Sequence, residues 1–309
     1  MTNKQLLKHL LENRELLHRN HEHAYEHLQM LRKDYAHIKE EEVVLNMELN
    51  HNIAEMQFNS EYEKVIQNTL QVLQKYENSV YKAPIIRHYI LLGRCYANTG
   101  EFEKAEAILL RASEKISPDE PEFIGWKADI FHVLTMNEQI AERGPDKSIQ
   151  YLTEAIALLK DDTSPRKANY LMGLGNVYIN ADMIDLALEN YQAAANTFEQ
   201  YFDLSNMGNV YSNIGTCYLK MDNYEQAEMY LEKSLDLRMK VGSPEHLSIS
   251  YYNLALVCKA ERKLDRAEEL LLKCKDILIH TDSKPFLQDT EDQLNEVALL
   301  KSKQMALAI

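Results

Sequence analysis

The sequence predicts an all-α fold of stacked helical hairpins, and three observations carry that prediction. Helix breakers are scarce: the 309 residues hold 9 Gly and 7 Pro, with neither before Pro84, and a helix interior tolerates these two residues least. A pattern of small and aromatic residues returns about every 40 positions, which marks a repeat array. The breakers that do occur fall between the periodic stretches, at Ser117-Pro118, Ser164-Pro165, Ser243-Pro244 and Lys284-Pro285. Length alone suggests about two domains. In a repeat array each unit packs only on its neighbours, so length no longer counts domains.

Residues 1–45 stand outside the repeat. Leu7, Leu10, Arg14, Leu17, His21, Ala24, Leu28, Leu31, Tyr35 and Ile38 alternate by three and four, a heptad stripe. Such a stripe makes either a coiled-coil dimer seam or an amphipathic helix folded back on the first repeat. Self-association, a possible homodimer through this segment, is the expectation. Arg14 and His21 weaken it by placing polar groups at core-type positions.

Six helix–turn–helix repeats are expected over 46–287, at approximately 46–85, 86–128, 129–167, 168–207, 208–247 and 248–287. Their first helices carry a small residue at a crossing point, read as Gly93, Met136, Gly175, Gly215 and Ala255. Their second helices carry Val65, Ala105, Ser148, Ala187, Ala227 and Ala267. Small residues let the two helices approach, and Tyr96, Tyr178 and Tyr218 fill the space beside them. The third repeat departs from the pattern at Met136, Gly144-Pro145 and Ser148. Residues 288–309 form a capping helix, with Leu294 in register 40 residues after Leu254. Its end, Met305 to Ile309, is apolar where caps are usually polar. Either this tail docks back or an output domain continues the chain.

These residues resemble the tetratricopeptide pattern. LLGRCY (Leu91–Tyr96), GLGNVY (Gly173–Tyr178), NIGTCY (Asn213–Tyr218) and NLALVC (Asn253–Cys258) match its first helix, while EFEKAEAILLRA (Glu101–Ala112), NYEQAEMYLEKS (Asn223–Ser234) and KLDRAEELLLKC (Lys263–Cys274) match its second. The resemblance covers about 43–305 and implies a right-handed superhelix, an α-solenoid. The period is about 40 rather than 34. That is similar to the extended repeats of kinesin light chains, mitotic adaptors and bacterial Rap-type peptide receptors.

A fold of this family lines its inner groove with first helices. Projected onto this sequence, the groove collects Arg87, Arg94, Asn98, Asn137, Asn169, Asn176, Asn180, Asn209, Asn213 and Asn253. An asparagine amide offers donors and an acceptor, so a ladder of them can hold an extended peptide whatever its side chains. Arg87 and Arg94 are candidate charge partners. The family's carboxylate clamp for chaperone tails is incomplete: Asn176 and Asn213 match its asparagines, but Met172, Ile249 and Asn253 stand where basic residues belong.

Other chemistry finds little support. A net charge of -14 opposes a phosphate backbone, so no nucleic-acid partner is expected. No apolar run of about 18 residues exists, so no membrane span is expected. The charged N-terminus lacks a signal-peptide core, which points to the cytoplasm. Cys95, Cys217, Cys258 and Cys274 form no C-x-x-C pair and fall at packing positions, as buried thiols. His23 and His27 have a metal-chelating spacing, but without an H-E-x-x-H motif they read as solvated, and no metal or cofactor is expected. Trp126 reads as core. Glycine-rich nucleotide loops and a nucleophile elbow are missing, so the chain is not expected to be an enzyme. The leading expectation is a protein- or peptide-binding scaffold. The alternative is the sensory or regulatory region of a bacterial signalling protein whose output domain lies outside this chain. A third reading, resembling the Rap-type phosphatases, is left with only about 45 residues for a working N-terminal bundle.

Overall fold

The computed structural model describes residues 2–18, 22–35, 37–242, 244–280 and 284–307; among them are fifteen α-helices and no strand. The chain divides into two compact units, Met1–Lys160 and Asp161–Ile309. The first holds α1 (Asn3–His18), α2 (Glu22–Asp34), α3 (Glu41–Phe58), α4 (Tyr62–Tyr76), α5 (Lys82–Asn98), α6 (Phe102–Glu114), α7 (Pro121–Ile140) and α8 (Pro145–Leu158). The second holds α9 (Pro165–Asn180), α10 (Ile184–Gln200), α11 (Leu204–Lys220), α12 (Tyr224–Val241), α13 (Pro244–Ala260), α14 (Leu264–Leu278) and α15 (Lys284–Leu307). From α3 onward the helices pack as consecutive hairpins, and α15 packs on α14. The fold class is the all-α helical-repeat solenoid.

Local chemistry sets the helix ends. Pro121, Pro145 and Pro165 open α7, α8 and α9, where a missing N–H costs nothing. Asp203 and Asn223 cap α11 and α12 by accepting from the backbone N–H groups of Asn206 and Gln226. Each hairpin turn carries one left-handed residue: Ser60, Gly100, Glu142, Asp182, Asp222 and Arg262, with φ between 51° and 77°. Most are not glycine, so the turn geometry overrides a conformational cost of roughly 1 kcal/mol at each.

That left-handed position corrects the register of the third hairpin. It lies seven residues after Gly93, Gly175, Gly215 and Ala255, so the equivalent residue before Glu142 is Thr135, not Met136. Burial agrees: Thr135 is 2 % exposed and Met136 39 %. The turn between α7 and α8 spans residues 141–144, whereas α9 and α10 are joined by 181–183. The extra residue, at Gly144-Pro145, displaces one helix series against the other.

Packing at the crossing points is close. A Cβ at Gly175 would lie 2.5 Å from the Tyr191 ring, and one at Gly215 2.6 Å from Leu231. Ala105, Ala187, Ala227 and Ala267 are fully buried, as are the four cysteines, all free thiols. Burial pushes the Cys95 thiol up to about 12 and that of Cys217 to about 11, which makes them inert.

The heptad stripe is spent inside the first unit. It forms two helices, and both pack on α3. Leu10, Leu17, Ala24 and Leu28 are fully buried and Leu31 is 6 % exposed. The expectation of a coiled-coil dimer seam is therefore corrected, because the apolar residues that would form it already face the chain's own core. Arg14 belongs to this packing: its Nε donates to Asn50 Oδ1 at 2.7 Å and its Nη2 to Asn46 Oδ1 at 2.6 Å. His21 lies outside the described residues.

In α15, Val297 is fully buried, and Lys301 pairs with Asp265 and Glu268 of α14. Met305 is 66 % exposed, while Ala308 and Ile309 lie outside the described residues.

Candidate peptide-binding face

In the second unit, the first helices α9, α11 and α13 place their asparagines at helical spacing on one side. Asn169, Asn176 and Asn180 are seven and four residues apart on α9, and Asn209 and Asn213 are four apart on α11. Asn169 and Asn180 are exposed; Asn176, Asn209, Asn213 and Asn253 are half-buried. Side-chain bonds tie neighbouring helices together along this side. Asn213 Nδ2 donates to Asn176 Oδ1 at 3.1 Å, joining α11 to α9. Asn253 Nδ2 donates to Ser212 Oγ at 3.2 Å, joining α13 to α11.

Behind the asparagines lie two buried residues that sequence reasoning missed. The Tyr191 hydroxyl donates to Asn176 Oδ1 at 2.7 Å. Burial raises its pKa, so it stays a donor. Arg238 Nη2 donates to Asn209 Oδ1 at 3.2 Å, and its Nη1 reaches the His246 carbonyl and Ser250 Oγ at 2.9 Å each. Burial lowers the Arg238 pKa to about 10, which leaves it cationic at neutral pH. The signal was present in the repeat. Tyr191 stands where α6, α8, α12 and α14 have Leu109, Leu152, Leu231 and Leu271 and α4 has Thr69; Arg238 stands where α10 and α14 fill the core with Phe198 and Leu278.

The first unit differs. Arg87 and Arg94 are half-exposed and Asn98 is exposed on α5. The Arg87 guanidinium sits 4.6 Å over the Trp126 ring. Trp126 is half-buried rather than core, and the Arg87 contact is a cation–π pairing on its ring. Asn98 Nδ2 bonds back to the Arg94 carbonyl of its own helix at 2.8 Å. Asn137 is not a groove residue. The register shift turns it to the core position held elsewhere by Cys95, Val177, Cys217 and Val257, where it is fully buried and donates to the Phe102 carbonyl at 3.1 Å. His23 is almost fully exposed on α2. No group of three metal-ligating side chains occurs among the described residues.

Comparison with known proteins agrees with this architecture. Residues 86–114 and 206–279 match the tetratricopeptide-repeat family. A search of curated protein sequences finds no match. Among solved structures, the chain is similar to the apo form of RapI at 14 % identity, with a TM-score of 0.73 over 97 % of this chain and 88 % of that one. It is similar to a Rap protein complexed with competence and sporulation factor, at 16 % identity and TM-score 0.64 over 98 % and 88 %. A third similar structure is a signal transduction ATPase with numerous domains, carrying a tetratricopeptide repeat sensor, from Pyrococcus horikoshii. Its identity is 17 % and its TM-score 0.66 over 95 % of this chain, which spans 43 % of that protein. At these identities the likeness is one of fold. The helical hairpins, their close crossings and the two matching segments make residues 86–114 and 206–279 tetratricopeptide repeats within an all-α helical-repeat chain.

Proposed function

We propose that the chain is a non-catalytic scaffold that binds a peptide or an extended protein segment along the α9–α11–α13 side of its second unit. One observation carries the reading: four half-buried asparagines, Asn176, Asn209, Asn213 and Asn253, lie side by side on three successive first helices and keep unused amide capacity. Half-exposed amides on rigid helices lose little entropy on binding, which favours recognition of a peptide backbone. The similar Rap structure, complexed with competence and sporulation factor, supports the reading of a chain that holds a partner. The acidic charge speaks against nucleic acid as the partner. No described helix is long and apolar enough to cross a membrane.

A regulatory use of the same face, as the sensor of a larger signalling protein, is favoured by the likeness to the repeat sensor of the Pyrococcus horikoshii ATPase. Both uses need the same binding step.

Selection of a phage-displayed random peptide library on the purified chain tests that step. Selected peptides should bind wild type and lose at least about tenfold in affinity, near 1.4 kcal/mol, to a still-helical Asn176→Ala, Asn213→Ala, Asn253→Ala variant. Equal affinity for both would remove this face as the site.

A further inference from the structure

What an asparagine shows a ligand depends on which end of its amide the protein already holds. Arg238 can only donate, so Asn209 must turn its oxygen inward to meet Nη2 at 3.2 Å, which leaves its Nδ2 facing out. Asn176 is held in the same sense by two donors on one oxygen, the Tyr191 hydroxyl at 2.7 Å and Asn213 Nδ2 at 3.1 Å. Asn213 and Asn253 have spent an N–H on Asn176 and Ser212, and their oxygens remain. Both anchors are rigid. Tyr191 is 1 % exposed and packs against Gly175, where a side chain would collide with it; Arg238 is 6 % exposed.

We propose that Tyr191 and Arg238 are positioning residues that fix Asn176 and Asn209 with their N–H groups outward, so that the face reads an extended main chain in one donor–acceptor polarity. Asn176 and Asn209 take ligand carbonyl oxygens, and the oxygens of Asn213 and Asn253 take ligand N–H groups. This rests on the peptide-binding reading above and adds a direction to it. Within the second unit, a polar tyrosine on α10 and a cation on α12 occupy positions that the other second helices fill with Leu231 and Leu271, and with Phe198 and Leu278, and each reaches an asparagine of the candidate face. Core packing alone does not require either hydroxyl or guanidinium, since leucine and phenylalanine fill the equivalent sites.

Two measurements test the proposal. In the ligand-free chain, Tyr191→Phe keeps the ring over Gly175 and removes the hydroxyl. The Asn176 side-chain amide resonances should shift while the fold is retained, and unmoved resonances would overturn the proposal. With a peptide taken from the phage-displayed library as probe, Asn176→Asp is the sharper variant. A carboxylate still accepts from Tyr191 and Asn213 but has no outward N–H. Affinity should fall at least about tenfold in Asn176→Asp and roughly threefold in Tyr191→Phe, in line with one lost hydrogen bond and one loosened amide. Wild-type affinity in Asn176→Asp, with loss in Asn176→Ala, would leave the binding face standing and overturn its polarity. Unchanged affinity in Asn176→Ala would remove the face itself.

Discussion

Asparagine does opposite work in the two units. In the first, Asn13, Asn46, Asn50, Asn52 and Asn137 are at most 4 % exposed. They hold structure: Asn50 Nδ2 donates to the Leu10 carbonyl at 2.7 Å, Asn13 Nδ2 to the Ala24 carbonyl at 2.8 Å, and Asn46 and Asn50 accept from Arg14. In the second, Asn176, Asn209, Asn213 and Asn253 are half-exposed with capacity to spare. What separates them is cover. In the first unit α1 lies on α3 and bonds Asn46 and Asn50, Asn52 is buried beside Thr69 of α4, and Asn137 is turned into the core by its register, whereas Asn169 and Asn180 of the second unit remain open. The same amide is a structural bond when covered and a candidate ligand contact when not.

Stability measurements can break that contrast. The largest effect is expected at Asn50. Asn50→Ala removes the bond to the α1 backbone and takes one of its two acceptors from a buried guanidinium that burial, and then Arg87, already hold down at about 9. The cost should be about 3 kcal/mol. Asn213→Ala should cost less than about 1 kcal/mol. Urea unfolding of both variants compares them directly, and equal losses would dissolve the distinction.

The pH response sharpens it next. His88 is buried in the first unit, with Nε2 on the Leu45 carbonyl at 3.2 Å and Nδ1 unpartnered. Burial pushes its pKa down to about 4; the Leu45 bond opposes that shift and the Arg14 charge adds to it. Between about pH 6.5 and pH 4 the unfolded chain takes up a proton that the folded chain refuses. The contribution is full above 6.5 and falls away as the pH drops through that window, by roughly 3 kcal/mol. Burial lowers His51 and His132 in the same direction. The difference between wild type and His88→Gln in urea midpoints at pH 7.5 and 4.5 isolates His88. A parallel response of the two chains would contradict its neutral burial.

The smallest expected effect lies in the turns. Glu142→Gly relieves the left-handed φ of 51° and should stabilise the first unit by about 0.5–1 kcal/mol, read from its thermal midpoint. Destabilisation would mean that the turn holds Glu142 by more than its backbone.

The repeat was legible because its crossing residues must be small wherever large partners such as Leu109, Tyr191 and Leu231 face them. Third-hairpin register was not, because Thr135 and Met136 are neighbours and neither is glycine; the added turn residue shows only in the backbone. The N-terminal stripe showed its period but not its partner, since a heptad serves a fold-back as well as a dimer. The asparagines could be placed on the first helices by spacing. Their orientation could not, because it depends on the side-chain bonds from Tyr191 and Arg238 on the paired second helices, which spacing along the first helices does not show.

The central claim is that the α9–α11–α13 asparagines touch the ligand. Titrating a library-selected peptide into the ¹⁵N-labelled chain, while following the side-chain amides of Asn176, Asn209, Asn213 and Asn253, tests it most directly. The account predicts that these four move together and saturate with one affinity, while Asn50 and Asn137 stay fixed. Saturable binding that leaves all four unmoved would contradict it.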